Sequence, residues 1–116
     1  MSYISMTHPG VARGPHEHVD QADLFCFLGP STFRIYLWDN REDSKTYRKY
    51  DRFEAGEENP LMVLVPKGVV HAYKNVGKTE GMVLNCPNRL YAGHDGKEPV
   101  DEIRHEDDAD GPFQLD

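Results

Sequence analysis

The sequence predicts an all-β protein, and three observations carry that prediction. No window sustains apolar residues at i, i+3, i+4 and i+7, the pattern of an amphipathic helix. Short apolar or alternating runs, bounded by Gly, Pro and Asn, recur instead at roughly ten-residue spacing. Finally, 116 residues are the size of one ordinary domain with a single hydrophobic core. Many short strands in one such domain read as a sandwich or barrel.

Tyr3 to Thr7 reads as the first strand, stopped by His8-Pro9-Gly10. Arg13-Gly14-Pro15-His16-Glu17-His18 follows as an extended stretch. His16 and His18 are one residue apart, so an extended chain turns both to one side. Asp23 to Leu28 is a mainly apolar run ended by Gly29-Pro30. Thr32 to Trp38 alternates, with Phe33, Ile35 and Leu37 on one face. Asp39 to Ser44 is a polar turn, and Thr46 to Phe53 a further strand with Tyr47 and Tyr50 on opposite faces. Glu54 to Pro60 is a polar loop, Leu61 to Val65 an apolar strand stopped by Pro66-Lys67-Gly68. Val69 to Asn75 and Met82 to Asn85 complete the set. From Tyr91 onward strand signals fade, and that end reads as loop and an extended tail able to pack over the barrel.

The formal charge is −7, from 13 basic and 20 acidic residues. Glu98 to Asp116 alone holds eight acids against Arg104, while the first 97 residues hold 12 of each sign. The acidity therefore belongs to the end of the chain, which reads as an acidic, solvated C-terminal extension (98–116) of a domain spanning 1–116. Clustered Lys and Arg are missing, which argues against a nucleic-acid surface. No apolar run approaches membrane-spanning length, and MSYISMTHPG has no signal-peptide pattern, so a cytoplasmic protein is expected. Cys26 and Cys86 form no CxxC pair and read as reduced thiols in or near the core.

The chemistry-bearing residues fall in two motifs. One starts at His16, with His18 at +2, Asp23 at +7 and Gly29 at +13; the other is PKGVVHAYKN, containing His71. This pair resembles the two signature motifs of the cupin superfamily. The second fits throughout; the first has Asp for the usual Glu, and its Gly comes one residue early. The resemblance implies a double-stranded antiparallel β-helix, or jelly roll, with a site inside the barrel. In metal-binding cupins the corresponding ligands would be His16, His18, Asp23 and His71. Three imidazoles and a carboxylate suit divalent Zn, Fe, Mn, Ni or Co.

A narrower resemblance runs through most of Gly10 to Asp108. GVARGPH, DNREDSKTYRKY, VPKGVVHAY and EIRHEDD are similar, in order, to four segments of the dTDP-4-dehydrorhamnose 3,5-epimerase family. In the second segment Asp39, Arg41, Ser44, Thr46, Tyr47 and Tyr50 match, whereas Lys45 and Arg48 replace a Pro and a Gly. That family removes a proton beside the ketone of a 4-keto-6-deoxy sugar nucleotide and returns it on the other face, without a cofactor. The resemblance assigns His16 as the base, Tyr91 as the proton donor and His71 to the same cavity. Arg13 would hold the substrate or its diphosphate by paired hydrogen bonds, with His18 beside it. Two departures stand out: the family's lysine is Asp23 here, and its acid partner for the base histidine is expected beyond the end of this sequence. A related group, the nucleotide-sugar 3,4-ketoisomerases, resembles RGPHEH through its two histidines, which shuttle the proton.

Three functions follow as expectations. The first is a nucleotide-sugar epimerase or isomerase. The second is a divalent-metal cupin with an unrelated small substrate, in which Asp23 is an asset and Asp20 a reserve ligand. The third is a non-catalytic sugar-binding cupin. A homodimer pairing strands edge to edge would cover exposed strand edges. His8, His94 and His105 read as loop histidines, Phe33 and Trp38 as core or cavity wall, and Tyr47 and Tyr50 as packed aromatics.

Overall fold

A computed structural model describes residues 1–116. Nine strands form: β1 (Tyr3–Thr7), β2 (Ala12–Glu17), β3 (Asp23–Phe27), β4 (Thr32–Asp39), β5 (Tyr50–Gly56), β6 (Leu61–Val65), β7 (Val69–Asn75), β8 (Gly81–Asn85) and β9 (Ile103–Arg104). A 3-10 turn follows at His105–Asp107. They make two antiparallel sheets, one ordered β1-β8-β3-β6 and the other β5-β4-β7-β2-β9. This is the expected jelly roll. No helix is long and apolar enough to cross a membrane.

The alternation read from the sequence explains the core between the sheets. Phe33 and Ile35 of β4, Val69 and Tyr73 of β7, Phe25 and Phe27 of β3 and Val83 of β8 all point inward and are buried. Each fully buried aromatic such as Phe27 or Phe33 contributes about 2–3 kcal/mol through area removed from water. Even-numbered residues of β4 and β7 face the other way, where Tyr36, Trp38, Val70 and Ala72 form a second apolar cluster. Trp38 thus belongs to a core, as expected, but to this second cluster and not to the one between the sheets; it stacks on Tyr50 at 5.1 Å.

The chain's acidic end is mostly exposed, but it packs over that second cluster through Phe113. Phe113 is buried against Trp38 and His105, with ring centroids 5.6 and 4.7 Å away. The Asp116 carboxylate accepts from the Tyr36 hydroxyl at 2.7 Å and pairs with Arg52 and Arg34. β9 pairs with β2, setting Arg104 opposite His16 and Ile103 opposite Glu17. The eight acids of this segment hid a strap whose anchor is one phenylalanine.

The strand expected from Thr46 begins later, at Tyr50. Asp39 is the reason. Its carboxylate accepts from the Arg41 amide and guanidinium, from the Ser44 hydroxyl at 2.6 Å and from Thr46. Local side-chain bonds of this kind outcompete a sheet ladder and hold 41–49 as a turn. The Asp39 carboxyl lies below the ordinary carboxylate range, held there by the Arg41 bond first and the hydroxyl bonds after it.

Candidate active site

The site lies at one end of the sandwich, and an irregularity in β2 builds it. Arg13 pairs with Tyr73 and His16 with His71, so three steps along β2 oppose two along β7. In a regular strand residues three apart face opposite ways. The bulge supplies the missing step, so Arg13 and His16 both stand opposite inward-facing residues. Gly14 makes it possible: at φ +92° it occupies the left-handed region, and a Cβ there would lie 2.6 Å from the His71 carbonyl.

A cavity of about 310 Å³ opens between the sheets. Its walls include Arg13, His16, His18, Asp23 and His71, together with Tyr91 from the loop after β8. All the residues singled out from the sequence therefore border one space, but they form two clusters with different partners.

The inner cluster is His18, Asp23 and His71, all buried, with one ligating atom from each lying within 4.8 Å of the others. His18 Nδ1 faces the Asp101 carbonyl, and its Nε2 lies 2.9 Å from Asp23 Oδ2. Burial disfavours its charge, but the bonds to Asp23 and Asp101 outweigh that and raise its pKa above the usual histidine value. Asp23 mirrors it: burial raises its pKa, and the His18 and Gln21 contacts bring it below the ordinary range. His71 differs. Burial pushes it down to about 4, so it is neutral at pH 7. Its Nδ1–H donates to the Val69 carbonyl at 3.1 Å, leaving Nε2 bare, 3.6 Å from Asp23 Oδ2. Asp23 Oδ2 accepts no well-aligned hydrogen bond despite the close His18 nitrogen.

The outer cluster is His16 with two glutamates from the strap. His16 Nε2 is 2.8 Å from Glu106 Oε2, and Nδ1 is 3.4 Å from Glu102 Oε1. Glu102 lines the cavity, so Nδ1 is the nitrogen on the cavity side. Arg104 holds both glutamates, at 3.5 and 3.4 Å. The expected absence of an acid partner for this histidine is corrected here: Glu106 pairs with it from within the chain. His16 does not join the inner cluster, so three of the four residues considered as metal ligands converge and the fourth does not.

Several contributors carried no separate signal in the sequence. Asp101 accepts from the amides of Val19, Asp20 and Gln21, each at 2.8 Å, and fixes the loop bearing His18. Asp20 thereby serves as part of a turn. The Tyr3 hydroxyl accepts from the Asn85 amide at 2.9 Å and borders the cavity. His105, expected as a loop histidine, bonds Glu17 at 2.8 Å and helps seat the strap. The only available clue to the strap was EIRHEDD, in which Glu102 and Glu106 flank the β9 residues. Tyr91 is 69% exposed on its loop.

A jelly roll with histidines and a carboxylate turned into its mouth is a cupin. Within that class, residues 2–108 match the model of the dTDP-4-dehydrorhamnose 3,5-epimerase family, and the chain belongs to that family. It is 41% identical over 100 residues to a Haloferax volcanii protein named "Probable low-salt glycan biosynthesis epimerase", covering 84% of this chain and 63% of that one. It is 43% identical over 87 residues to a spore coat polysaccharide biosynthesis protein of Bacillus subtilis, covering 75% of this chain and 57% of that one. The chain thus spans about three fifths of the length of these curated relatives. Among solved structures, a dTDP sugar isomerase from Desulfovibrio desulfuricans G20 superposes with a TM-score of 0.83 at 23% identity, covering 98% of this chain and 69% of that one, which shows the common fold.

Proposed function

We propose that the protein is an epimerase or isomerase of a 4-keto-6-deoxy sugar nucleotide, working by proton abstraction next to the ketone. The observation that carries this reading is the His16–Glu106 contact at 2.8 Å beside the cavity, in a chain of the epimerase family. Glu106 accepts from Nε2–H and fixes the tautomer that leaves Nδ1 as the base. When Nδ1 takes the substrate's C–H proton, Glu106 stabilises the imidazolium that forms. Glu102 Oε1 lies 3.4 Å from Nδ1 and forms no hydrogen bond with it.

The remaining roles follow from what each group can still do. Both ring nitrogens of His18 face acceptors, so it shuttles no proton; it holds Asp23 and the inner wall. His71 offers the cavity a bare Nε2, suited to accept from a sugar hydroxyl. Arg13, tied by Nε–H to the Thr7 hydroxyl at 3.1 Å, brings a fixed positive charge to the enolate oxygen in place of the family's lysine. Tyr91 donates the proton on the opposite face. This reaction needs no cofactor.

The same reading takes the protein as a one-domain cytoplasmic homodimer. Ile4, Met62 and Leu64 are 60–68% exposed on the four-stranded sheet, and Met6 lies beside Ile4's strand neighbours. These support pairing through the sheet face rather than its edges; Met62→Glu should yield monomers by light scattering, and a wild-type monomer would refute the dimer.

The test is incubation with a panel of 4-keto-6-deoxy sugar nucleotides followed by NMR. Appearance of an epimer or keto-isomer is expected, and recovery of every substrate unchanged would count against the reading.

A second reading has its own observation. His18 and His71 each give Nδ1 to a backbone carbonyl, and their Nε2 atoms converge on Asp23 Oδ2, which lacks an aligned donor. Carbonyls that fix tautomers in this way are the usual second layer of a metal site. The three residues would fit Zn, Fe, Mn, Ni or Co, which would supply Lewis acidity for an unrelated small substrate. Metal analysis of untagged protein decides it: no bound metal, and none taken up on addition, removes this reading.

A further inference from the structure

The strap meets β2 on both of its sides. His16 and Glu17 are neighbours in an extended strand, so their side chains point opposite ways. On the cavity side Glu106 Oε2 lies 2.8 Å from His16 Nε2. On the far side His105 Nε2 lies 2.8 Å from Glu17 Oε1. Consecutive residues of the strap, His105 and Glu106, therefore grip consecutive residues of β2 from opposite faces. A carboxylate accepts, so the His105 Nε2–H donates to Glu17. The same Glu17 oxygen accepts from Asn40 Nδ2 at 2.9 Å, and the Asn40 amide donates to the Gly68 carbonyl at 3.0 Å. Glu17 is buried, and the turn after β4 fixes its acceptor in place.

Little else holds this part of the strap. β9 pairs with β2 over two residues, both exposed. The 3-10 turn that carries Glu106 buries no residue and has no side-chain cap. Glu102, Glu106 and Asp107 share one arginine, Arg104, whose side chain is 51% exposed. Ion pairs of that kind are worth little, and the three carboxylates repel one another. His105 supplies the anchorage: its ring meets Phe113 edge-on at 4.7 Å while Nε2 reaches Glu17.

We infer that Glu17 and His105 are positioning residues for the reaction: their bond clamps the strap to the outer side of β2 and so sets Glu106 against His16. Neither residue borders the cavity, so the base is oriented from a contact that never meets the substrate. The inference rests on His16 as the base, and a signal that needs no substrate separates the two.

The experiment is proton NMR of the full chain in water, alongside turnover of the keto-sugar panel. The native protein should show a downfield, slowly exchanging Nε2–H signal that His16→Asn removes. His105→Phe keeps a ring against Phe113 but gives Glu17 no donor; Glu17→Leu keeps the volume but gives His105 no acceptor. Both should lose the signal and lower kcat about tenfold with KM unchanged. Glu17→Gln, which retains an acceptor oxygen, should restore signal and rate. Added to Glu106→Gln, the His105→Phe change should cost nothing further, because it acts through Glu106. Absence of the signal from the native protein, its persistence with native kcat in His105→Phe, or losses that multiply in the double variant would overturn the positioning role. Loss of the signal in His105→Phe and Glu17→Leu, with no turnover of any sugar nucleotide by the native protein, keeps the clamp and sinks the assignment of His16 as the base.

Discussion

Two buried aspartates, Asp39 in a segment that ties this chain to its family and Asp23 at a position where the chain departs from it, behave in opposite ways. Asp39 is closed: Arg41, Ser44 and Thr46 together give donors to both its oxygens. Asp23 is more deeply buried, yet its Oδ2 is left without an aligned donor between two histidines at a cavity wall. A buried carboxylate with every lone pair satisfied holds structure together. One with an oxygen to spare, facing groups whose charge can change, marks chemistry. The family segment around Asp39 is therefore a built turn, while the residues around Asp23 and His16 make the site.

Mutations can break this contrast, and the largest effect on folding should come from Asp39. Asp39→Ala removes the acceptor shared by the Arg41 amide and guanidinium and by the Ser44 and Thr46 hydroxyls, which keep only each other and water. Because Arg41 is 41% exposed and can turn to solvent, a loss of about 2 kcal/mol is expected in denaturant unfolding. Glu106→Gln comes next and should act on the site alone. It retains a bond to His16 but removes the charge that supports the imidazolium, so kcat should fall by about 10²-fold with little change in thermal midpoint. Equal losses of rate and stability would make Glu106 a structural residue.

Asp23→Asn should cost less stability than Asp39→Ala despite its deeper burial, about 1–2 kcal/mol. Its partner His18 can release a proton when the carboxylate goes, and Arg41 cannot. A larger loss than at Asp39 would reverse the comparison. The smallest effect is in pH. The Asp39 pKa is depressed on folding, so its stabilisation is present above the unfolded carboxylate value near 4 and fades as pH falls through the lower folded value. The stability gap between wild type and Asp39→Asn should hold from pH 7 to 5 and narrow below 4. A gap that widened in acid would show that the carboxylate is not held ionised.

The strands were legible because period-two alternation and Gly/Pro stops are local signals. Tyr3–Thr7, Leu61–Val65 and Val69–Asn75 fall where the pattern sets them. Thr46–Lys49 misled because its β-favouring residues bond to Asp39 across a turn, a contact that alternation does not report. The inward side of His16, His18 and His71 followed from spacing and family motif. The re-phasing that brings Arg13 to the same side as His16 did not, since a bulge depends on register against β7. The strap was hidden for a physical reason as well: acids without periodic apolar residues look solvated, and only pairing of β9 with β2 reveals that Glu102 and Glu106 reach His16.

The central claim, that His16 backed by Glu106 removes a proton beside a ketone, has one direct test. A 4-keto-6-deoxy sugar nucleotide that the protein accepts is incubated in deuterated water, and deuterium at the carbons flanking the ketone is followed for wild type and for His16→Asn. Wild type should incorporate deuterium well above the spontaneous rate. His16→Asn, with the same thermal midpoint, should fall by about 10³-fold, within the range for loss of a general base. Equal incorporation by the two proteins would contradict the account.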